Sequence, residues 1–320
     1  MAVCAALLML PGCKDDDDDT PYLSGSVTYD ALPSYVVYGD SFHREVSGAY
    51  ADGGEIVGYR LYDAMTASSD TLRCEGVAGD VSFDYTVSKD TVGTFTITVY
   101  AFCSGYYGIS RSNSFTVVNP SLGSKGSLTG HPFGTLLLNF VNDSRDGGRY
   151  YTTVAGGKVW MAQNLHYSAS GQPYYNAEAM SPIFGRYYTY DEALTACPAG
   201  WHLPADAEFV ALAGSGAEHE KISGAAAALK GPLSFNGSGM WPYSSSSIKE
   251  TNTTLFTAIP VGYSTSPGEF KGYGDGAFFW TADALDASNS LVRYFKYDSD
   301  DILAASMDRT FRASVRCVKD

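Results

Sequence analysis

The chain has 320 residues and a formal net charge of -14 at pH 7. At roughly 100 to 200 residues per domain, this length predicts about two folded units with connecting segments. Hydrophobic residues make up 45% of the chain and charged residues 18%, which excludes disorder along its whole length. Because the acidic excess has the wrong sign for binding phosphates, the composition argues against a nucleic-acid partner.

Residues 1–13 have the pattern of a secretory signal. An apolar run, Ala2–Leu10, is followed by Pro11, Gly12 and Cys13, which is the order of an apolar core, a small residue and a cysteine. This pattern resembles the lipobox of bacterial lipoproteins, in which the cysteine becomes the new N-terminus and is acylated. The resemblance implies that Cys13 anchors the protein to outer-membrane lipid.

An acidic linker is predicted at residues 14–23. It opens with Lys14 and the aspartates Asp15–Asp19, and a run of like charges does not enter a hydrophobic core. The run resembles the acidic export tag of surface lipoproteins in Bacteroidetes-type bacteria, which implies an outer-membrane lipoprotein that faces the cell exterior. A solvated spacer on a periplasmic lipoprotein is the alternative, and the residues by themselves do not separate the two.

Residues 24–118 are predicted to form an all-β domain. Short alternating segments recur between turn-forming Gly, Asp, Ser and Pro residues. The clearest is 93–101, and a glycine-containing turn leads from it to a second strand at 114–118. This closing hairpin resembles that of immunoglobulin-like or PKD-like bacterial domains, which implies a β-sandwich that serves as a spacer. A linker is expected at 119–132, which is rich in Ser, Gly and Pro.

The predicted second domain, residues 133–320, contains all four tryptophans of the chain. Tyr190–Ala196 is expected to form a short helix. Pro204 is expected to open a second helix that turns Phe209 and Leu212 toward the core. The fold class expected for the whole chain is therefore mainly β, with α+β character in this second domain.

Motifs in order along the second domain resemble the Fibrobacter succinogenes major paralogous domain. They include Asp143–Gly147, Gly185–Tyr190, Ala196–Pro204, Phe279–Thr281 and Ser314–Val318. The order of helix, cysteine, His-Leu and helix, closed near the chain end by a second cysteine, also resembles the C-type lectin-like fold. That resemblance implies an α+β domain whose first and last cysteines form a clamp.

Cys74, Cys103, Cys197 and Cys317 follow the predicted signal, and four cysteines permit three pairings. Exported proteins usually pair such thiols. Pairing within each domain favours Cys74 with Cys103 and, as the lectin-like clamp implies, Cys197 with Cys317. A loop of roughly 120 residues closed by the second pair stabilises by about 4 to 5 kcal/mol in the chain-entropy model. None of the four has the spacing of a zinc or redox motif.

The motifs of known metal and catalytic sites are missing, so no metal, cofactor or enzymatic activity is expected. Calcium-dependent C-type lectins use a Glu-Pro-Asn or Gln-Pro-Asp triplet, of which Gln172–Tyr174 has only the first two residues. Asp298, Asp300 and Asp301 are interpreted as a solvated turn, with a cation site as the alternative. His202 is interpreted as a hydrogen-bonded core histidine.

The remaining hypothesis is recognition. The segment 235–276 is rich in Gly, Ser, Thr and aromatic residues, and it occupies the place where lectin-like folds carry their long variable loops. Loops on a rigid scaffold often carry recognition. Four aromatic residues of this segment are the candidate ligand contacts: Trp241, Tyr243, Phe270 and Tyr273. For Trp241 a place in the core is an equal alternative, whereas Tyr263 and Trp280 are expected in the core.

We therefore expect a surface-anchored lipoprotein with an immunoglobulin-like stalk and a C-type lectin-like domain. The expected role is adhesion or ligand binding, with a glycan or a surface protein as the ligand and without catalysis. A structural or tip subunit of a cell-surface or pilus assembly is the first alternative. An extracellular enzyme is the second alternative, and it would need a convergent catalytic cluster that the sequence does not reveal.

Overall fold

The chain divides into two compact units, Met1–Val117 and Val118–Asp320. Both are built mainly from β-strands, and the second also contains short helices, as the composition predicted. The predicted signal with Cys13 and the first half of the acidic linker, residues 14–18, lie outside the described residues. The computed structural model describes residues 19–64, 70–77, 81–88, 91–242 and 249–320.

The first unit consists of strands that form two sheets. In its described residues the strands are β1 (Ser24–Thr28), β2 (Tyr35–Val36), β3 (Ser41–Tyr50), β4 (Gly58–Ala64), β5 (Asp70–Val77), β6 (Val81–Thr86), β7 (Gly93–Phe102) and β8 (Ile109–Val117). One sheet has the order β1-β3-β6 and the other has the order β2-β8-β7-β4-β5. Strands β2 and β8 are parallel, and the other neighbouring pairs are antiparallel.

The two sheets share one hydrophobic core. Along β7, Ile97, Val99 and Ala101 are buried while the residues between them are partly exposed, as expected for side chains that alternate between the two faces of a strand. They belong to the same core cluster as Val46 of β3 and Phe83 of β6, which come from the other sheet. The predicted strand at 93–101 is therefore confirmed.

The predicted pairing of Cys74 with Cys103 is wrong. Cys74 lies in β5, Cys103 follows the end of β7, and β4 lies between these two strands. Two strand spacings put the backbones about 9 to 10 Å apart, beyond the roughly 7 Å over which a disulfide can join two Cα atoms. Cys103 is accordingly a free, partly buried thiol.

The second unit contains many short strands and three α-helices in its described residues. Its helices are α1 (Ser181–Phe184), α2 (Tyr190–Ala196) and α3 (Asp206–Ala213). Its first strands are β9 (Leu128–Thr129), β10 (Phe140–Asn142), β11 (Arg149–Ala155), β12 (Lys158–Met161), β13 (Gln172–Pro173), β14 (Arg186–Tyr187) and β15 (Trp201–His202). The later strands are β16 (Ser234–Phe235), β17 (Ser238–Gly239), β18 (Val261–Ser266), β19 (Glu269–Tyr273), β20 (Gly276–Ala284), β21 (Asn289–Lys296), β22 (Ile302–Asp308) and β23 (Val318–Lys319).

Two five-stranded sheets dominate the second unit, in the orders β10-β11-β12-β23-β15 and β19-β18-β20-β21-β22. A smaller sheet has the order β17-β16-β9. Because β9 is part of it, the predicted linker at 119–132 is in fact part of the second unit. Ser127 and Leu128 are buried, and the Ser127 hydroxyl accepts a hydrogen bond from the backbone of Asn119 at 2.8 Å. The segment is therefore not a spacer between the units. Its Ser and Gly residues form turns that belong to the second unit.

The two predicted helices are present. Helix α2 spans Tyr190–Ala196 as expected, and Thr189 and Glu192 cap its N-terminus reciprocally. Helix α3 begins at Asp206, two residues after Pro204, and both Phe209 and Leu212 are buried in it. In the described part of the chain, no helix is long and apolar enough to cross a bilayer.

The predicted disulfide between Cys197 and Cys317 is confirmed, with its Cα atoms 5.9 Å apart. It joins the end of α2 to the residue before β23, and so it closes most of the second unit into one loop. Trp280 is fully buried as expected, and its indole N–H donates to the carbonyl of Tyr188 at 2.7 Å. Tyr263, also expected in the core, is half-buried at the core edge.

Candidate ligand-binding surface

Aromatic side chains gather where strand β19 meets the segment that precedes helix α1. We call the following residues the aromatic surface: Tyr174, Tyr175, Phe184, Tyr187, Phe270 and Tyr273. Tyr174, Phe184 and Tyr187 are buried, whereas Tyr175 and Tyr273 are each 44% exposed. The aromatic surface therefore presents two half-exposed rings to solvent on a buried aromatic base.

Phe270 lies at the centre of the aromatic surface. Its ring centroid is 4.7 Å from that of Tyr174, 5.2 Å from that of Tyr175 and 5.0 Å from that of Tyr187. The Tyr273 ring is 6.1 Å from Tyr174. These separations are typical of aromatic rings in direct contact, so the buried rings hold the exposed ones in place.

The hairpin of β18 and β19 positions Phe270 and Tyr273. Within it, Val261 pairs with Tyr273, and the Tyr187 hydroxyl donates to the Val261 carbonyl at 2.7 Å. Gly262 has φ +71°, and a Cβ atom there would overlap the carbonyl oxygen of Lys271 on the opposite strand. The close approach of the two strands therefore requires glycine at this position.

The backbone beside the aromatic surface is strained. Tyr175 has φ 49° and Asn176 has φ 57°, although residues other than glycine rarely adopt positive φ and a bulky side chain does so least. Each such residue costs on the order of 1 to 3 kcal/mol, and strained residues cluster at binding and catalytic sites. In this conformation the Tyr175 ring lies 5.2 Å from the Phe270 ring.

Polar groups border the exposed rings. The Gln172 side-chain amide donates to Oδ1 of Asn176 at 2.9 Å. On the hairpin, the Glu269 carboxylate accepts hydrogen bonds from the hydroxyls of Thr265 at 2.8 Å and Ser266 at 3.0 Å, and it lies 3.1 Å from Lys271 Nζ. The hydrogen bonds from Thr265, Lys271 and Ser266 hold the pKa of Glu269 below its usual value. The border thus offers a positioned carboxylate and an amide for hydrogen bonding.

A family comparison identifies the second unit. The family model of the Fibrobacter succinogenes major domain matches residues 154–319. The chain belongs to this family. The match begins within β11 and ends in β23, so it includes the hairpin of β18 and β19, both helices that flank Cys197, and the disulfide. The aromatic surface is consequently built entirely from residues of the major domain.

Other comparisons add no functional relative. No curated protein matches the chain. Among solved structures, a superoxide reductase (neelaredoxin) from Ignicoccus hospitalis is 16% identical, with TM-score 0.24, over 29% of this chain and 80% of that chain. A β-glucosidase from Listeria innocua in complex with gluconolactone is 20% identical, with TM-score 0.21, over 30% of this chain and 16% of that chain. TM-scores this low do not identify a shared fold.

Two of the four predicted ligand contacts, Phe270 and Tyr273, meet in the aromatic surface of the major domain. Trp241 does not, because it is only 7% exposed and belongs to the hydrophobic core. Its ring lies 5.1 Å from Nζ of the buried Lys230, so the structure decides for the core alternative. Tyr243 lies outside the described residues.

A buried lysine, Lys230, packs against the ring of Trp241. The lysine side chain has no exposed surface, and its Nζ donates to the carbonyls of Lys296 at 2.5 Å and Ser299 at 2.7 Å. Burial lowers its pKa, against the attraction of nearby carboxylates such as Glu250. The electron-rich face of the Trp241 indole contributes a further favourable contact with this cation.

His202 is hydrogen-bonded as predicted, but it does not lie in the core. Its side chain is 40% exposed, with Nδ1 2.6 Å from Asp320 and Nε2 3.1 Å from Glu208. The reason is that β15 is an edge strand of its sheet. Burial by itself raises the pKa of Glu208, but hydrogen bonds from Ala205, Lys158 and His202 outweigh burial and lower it.

The acidic turn after β21 does not bring its carboxylates together. Asp300 accepts a hydrogen bond from the backbone N–H of Ala227 at 2.6 Å, and Asp301 pairs with Lys221 at 3.1 Å. Asp298 pairs with Lys296, the last residue of β21, at 3.3 Å. Each carboxylate therefore has its own partner. Within the described ranges, no group of three His, Cys, Asp or Glu side chains is placed to hold a metal ion.

The sequence analysis missed four of the six residues of the aromatic surface. Gln172–Tyr174 was considered only as an incomplete calcium triplet, yet the rings of Tyr174 and the next residue, Tyr175, contact the ring of Phe270. Two adjacent tyrosines followed by asparagine, just before a short helix, are the available sequence signal. Their contact with β19 joins residues about a hundred positions apart, which local patterns do not reveal.

Proposed function

We propose that this major-domain protein is a non-catalytic, calcium-independent glycan-binding module displayed on the cell surface. The observation that carries the proposal is the pair of half-exposed rings, Tyr175 and Tyr273, on a buried aromatic base. Flat aromatic faces stack on the C–H faces of sugar rings, and binding sites combine such apolar contacts with a few positioned polar groups. Asn176 and Glu269 supply polar groups of this kind beside the rings.

The size of the aromatic surface favours a glycan over a folded protein as the ligand. A stable protein interface buries about 800 Å² on each partner around a broad apolar centre, whereas this surface exposes two rings with polar neighbours.

The proposal also includes a C-type lectin-like fold for the second unit. Helices α2 and α3 on either side of Cys197, together with the Cys197–Cys317 clamp, support it.

Removing the exposed rings is expected to weaken glycan binding. Tyr175→Ala and Tyr273→Ala should each reduce affinity about tenfold, or about 1.4 kcal/mol, as central aromatic contacts do. The measurement is a glycan array, followed by calorimetry with the oligosaccharide that the array selects. EDTA should leave the affinity unchanged, and thermal melts should show that both variants fold.

Leu138→Ala is the matched control, because Leu138 is 69% exposed and lies outside the aromatic surface. It should bind as tightly as the wild type. Unchanged affinity in the double variant Tyr175→Ala/Tyr273→Ala would contradict the proposed site, and dependence on Ca²⁺ would contradict the proposed mode of binding.

The edge strand β10 favours a second candidate function, a structural or tip subunit of a surface assembly. Leu136, Leu138 and Phe140 beside or within it are 73%, 69% and 45% exposed. Asn139 and Asp143 form backbone hydrogen bonds on the side of the strand that faces β11. Backbone groups point alternately to the two sides of a strand, so every second residue between Asn139 and Asp143 directs its N–H and C=O groups to the open edge of the sheet. Such edges accept an added strand. Loss of assembly in Leu138→Ala, with glycan binding by the aromatic surface absent in the wild type, would favour this candidate.

We infer the surface location from residues 1–13 and the acidic linker, as an outer-membrane lipoprotein that faces the cell exterior. Cys13→Ser should abolish the lipid mass on the mature chain and move the protein from the detergent phase to the aqueous phase in a phase-partition experiment. Cys103→Ser is the matched control and should partition like the wild type. Wild-type protein in the aqueous phase would contradict the anchor, and protection from protease on intact cells would contradict the outward orientation.

A further inference from the structure

Strand β10 leaves one row of backbone hydrogen-bonding groups open. It lies at the edge of its sheet, with β11 on its inner side. The carbonyl of Asn139 and the N–H of Asp143 are bonded on the β11 side, and the groups along a strand alternate in direction. The N–H and C=O groups of Leu138, Phe140 and Asn142 therefore point away from β11, where no described residue bonds to them. Three residues of the edge are thus available to pair with another strand.

No charge protects this edge. Formally charged residues are absent from the whole segment between Lys125 and Asp143, and the stretch 136–142 contains no proline. Proteins usually protect an open edge with a charged side chain, a proline, a bulge or a covering segment. The edge strand β19, by contrast, carries Glu269 and Lys271, both half-exposed. The edge of β10 therefore has the composition of a strand that is paired.

The charge of the chain indicates which partner fits the edge. Copies of a protein with net charge -14 repel each other over most of their surface, so they approach closely only where the surface is uncharged. The edge of β10 is such a place. A cationic partner, which the acidic surface would attract, gains no electrostatic energy from an uncharged edge. The edge consequently favours a second copy of this chain.

We propose that two copies form a symmetric dimer by antiparallel pairing of their β10 strands about a twofold axis at Phe140. This register places Leu138 opposite the partner's Asn142, and each of the three pairs exchanges two backbone hydrogen bonds. An axis at Asn139 or Val141 would use only two of the three outward-facing residues. Because the pairing occupies the same edge in both copies, association ends at the dimer.

This inference goes beyond glycan binding, and it is independent of the aromatic surface. It concerns the edge on which the second candidate function rests, and it names the partner of that edge. The two five-stranded sheets that contain β10 become one continuous sheet across the axis.

The apolar side chains of the edge are positioned for burial in this dimer. The Phe140 ring lies 6.0 Å from the ring of Tyr151 and 4.2 Å from the guanidinium carbon of Arg149, so its place is set before pairing. Leu136, Leu138 and Phe140 are 73%, 69% and 45% exposed, which amounts to about 300 Å² of apolar surface per copy. Since a standard interface buries about 800 Å² on each partner, we expect a weak dimer with a dissociation constant of about 10 µM.

Sedimentation velocity of the full chain tests the dimer. Cys13→Ser is present throughout, so that a lipid anchor does not cause association. The protein should be mainly monomeric at about 1 µM and mainly dimeric at about 100 µM. A monomer at both concentrations would overturn the proposal, whether or not the aromatic surface binds glycan. Loss of surface assembly in Leu138→Ala would then indicate a different partner for the edge.

Two variants test whether the association uses the edge. Asn142→Pro removes an N–H that points to the open side, so the bonds to β11 remain, and edge strands tolerate proline at such positions. Phe140→Lys brings two like charges together at the axis. Both variants should fold, as thermal melts will show, and should weaken dimerisation by roughly tenfold or more. Wild-type dimerisation of Asn142→Pro would overturn the proposal.

Val154→Lys is the matched control. It adds the same charge as Phe140→Lys at an apolar residue that is 73% exposed, but it lies in β11 and not at the edge. It should dimerise like the wild type. The double variant Tyr175→Ala/Tyr273→Ala should also dimerise like the wild type, which separates the dimer from the glycan site.

Disulfide cross-linking tests the register, in a background that contains Cys74→Ser and Cys103→Ser. Phe140→Cys places two thiols at the axis with Cα atoms about 5.5 Å apart, which is within the range of a disulfide. It should form a covalent dimer under mild oxidation. Leu138→Cys is the control, because its two thiols would lie about 14 Å apart in this register. Cross-linking of Leu138→Cys in preference to Phe140→Cys would overturn the proposed axis.

Discussion

Replacing both Cys197 and Cys317 by serine is expected to lower the free energy of unfolding of the second unit by about 4 to 5 kcal/mol. The two cysteines are 120 residues apart in the sequence. In the chain-entropy model, a cross-link that closes a loop of this length removes roughly this much conformational freedom from the unfolded chain. This would be a large fraction of the total stability of an ordinary domain.

Urea unfolding followed by tryptophan fluorescence measures this change selectively, because all four tryptophans lie between residues 160 and 280. The signal therefore reports the second unit and avoids mixing the two units in one transition. Cys103→Ser, in the first unit, is the control and should leave the transition unchanged. If the double-serine variant unfolded with the urea midpoint and the m-value of the wild type, the Cys197–Cys317 disulfide would not be a principal source of stability.

Breaking the buried ion pair of Asp206 and Arg293 is the second large effect expected. Both side chains are fully buried, and the two hydrogen bonds between them measure 2.5 Å and 2.8 Å. Asp206→Asn leaves the arginine charge in the interior without a partner, which typically costs about 3 to 5 kcal/mol. The same urea experiment should show the transition at a markedly lower denaturant concentration.

A double variant separates the charge from the packing. Asp206→Asn combined with Arg293→Met removes both charges, and it should be less destabilised than Asp206→Asn alone because no unpaired charge remains. Glu269→Gln breaks the exposed pair with Lys271 and is the control, with an expected change below about 1 kcal/mol. If Asp206→Asn had an effect as small as this control, the buried pair would not carry the stability assigned to it.

The sequence analysis predicted those features that depend on neighbouring residues. Alternation over 93–101 identified a strand, and the residues 190–196 identified a helix with its observed bounds. The Cys197–Cys317 disulfide and the family of the second unit followed from motifs that are recognisable one by one. These predictions succeeded because periodicity, capping and short motifs act within a few residues.

Burial was predicted less well, because it depends on what packs against a residue from elsewhere. Trp241 and Tyr273 are both large aromatic residues in the same glycine-rich and serine-rich segment. One is buried over Lys230, and the other is half-exposed beside Tyr174. Similarly, His202 was expected in the core because its neighbours are apolar, but it is partly exposed in a strand at the edge of a sheet.

The sequence by itself determined that this chain is mainly β and that it has two units, because composition and alternation are properties of the chain. The disulfide that closes the second unit was implied by the resemblance to lectin-like domains. Only the tertiary structure decided that the segment at 119–132 packs into the second unit and that β4 separates Cys74 from Cys103. It also decided which aromatic residues meet at the surface, and that β10 lies at the edge of its sheet. Strand order and sheet edges arise from contacts between distant residues, and an alternating pattern specifies the two faces of a strand without specifying its neighbours.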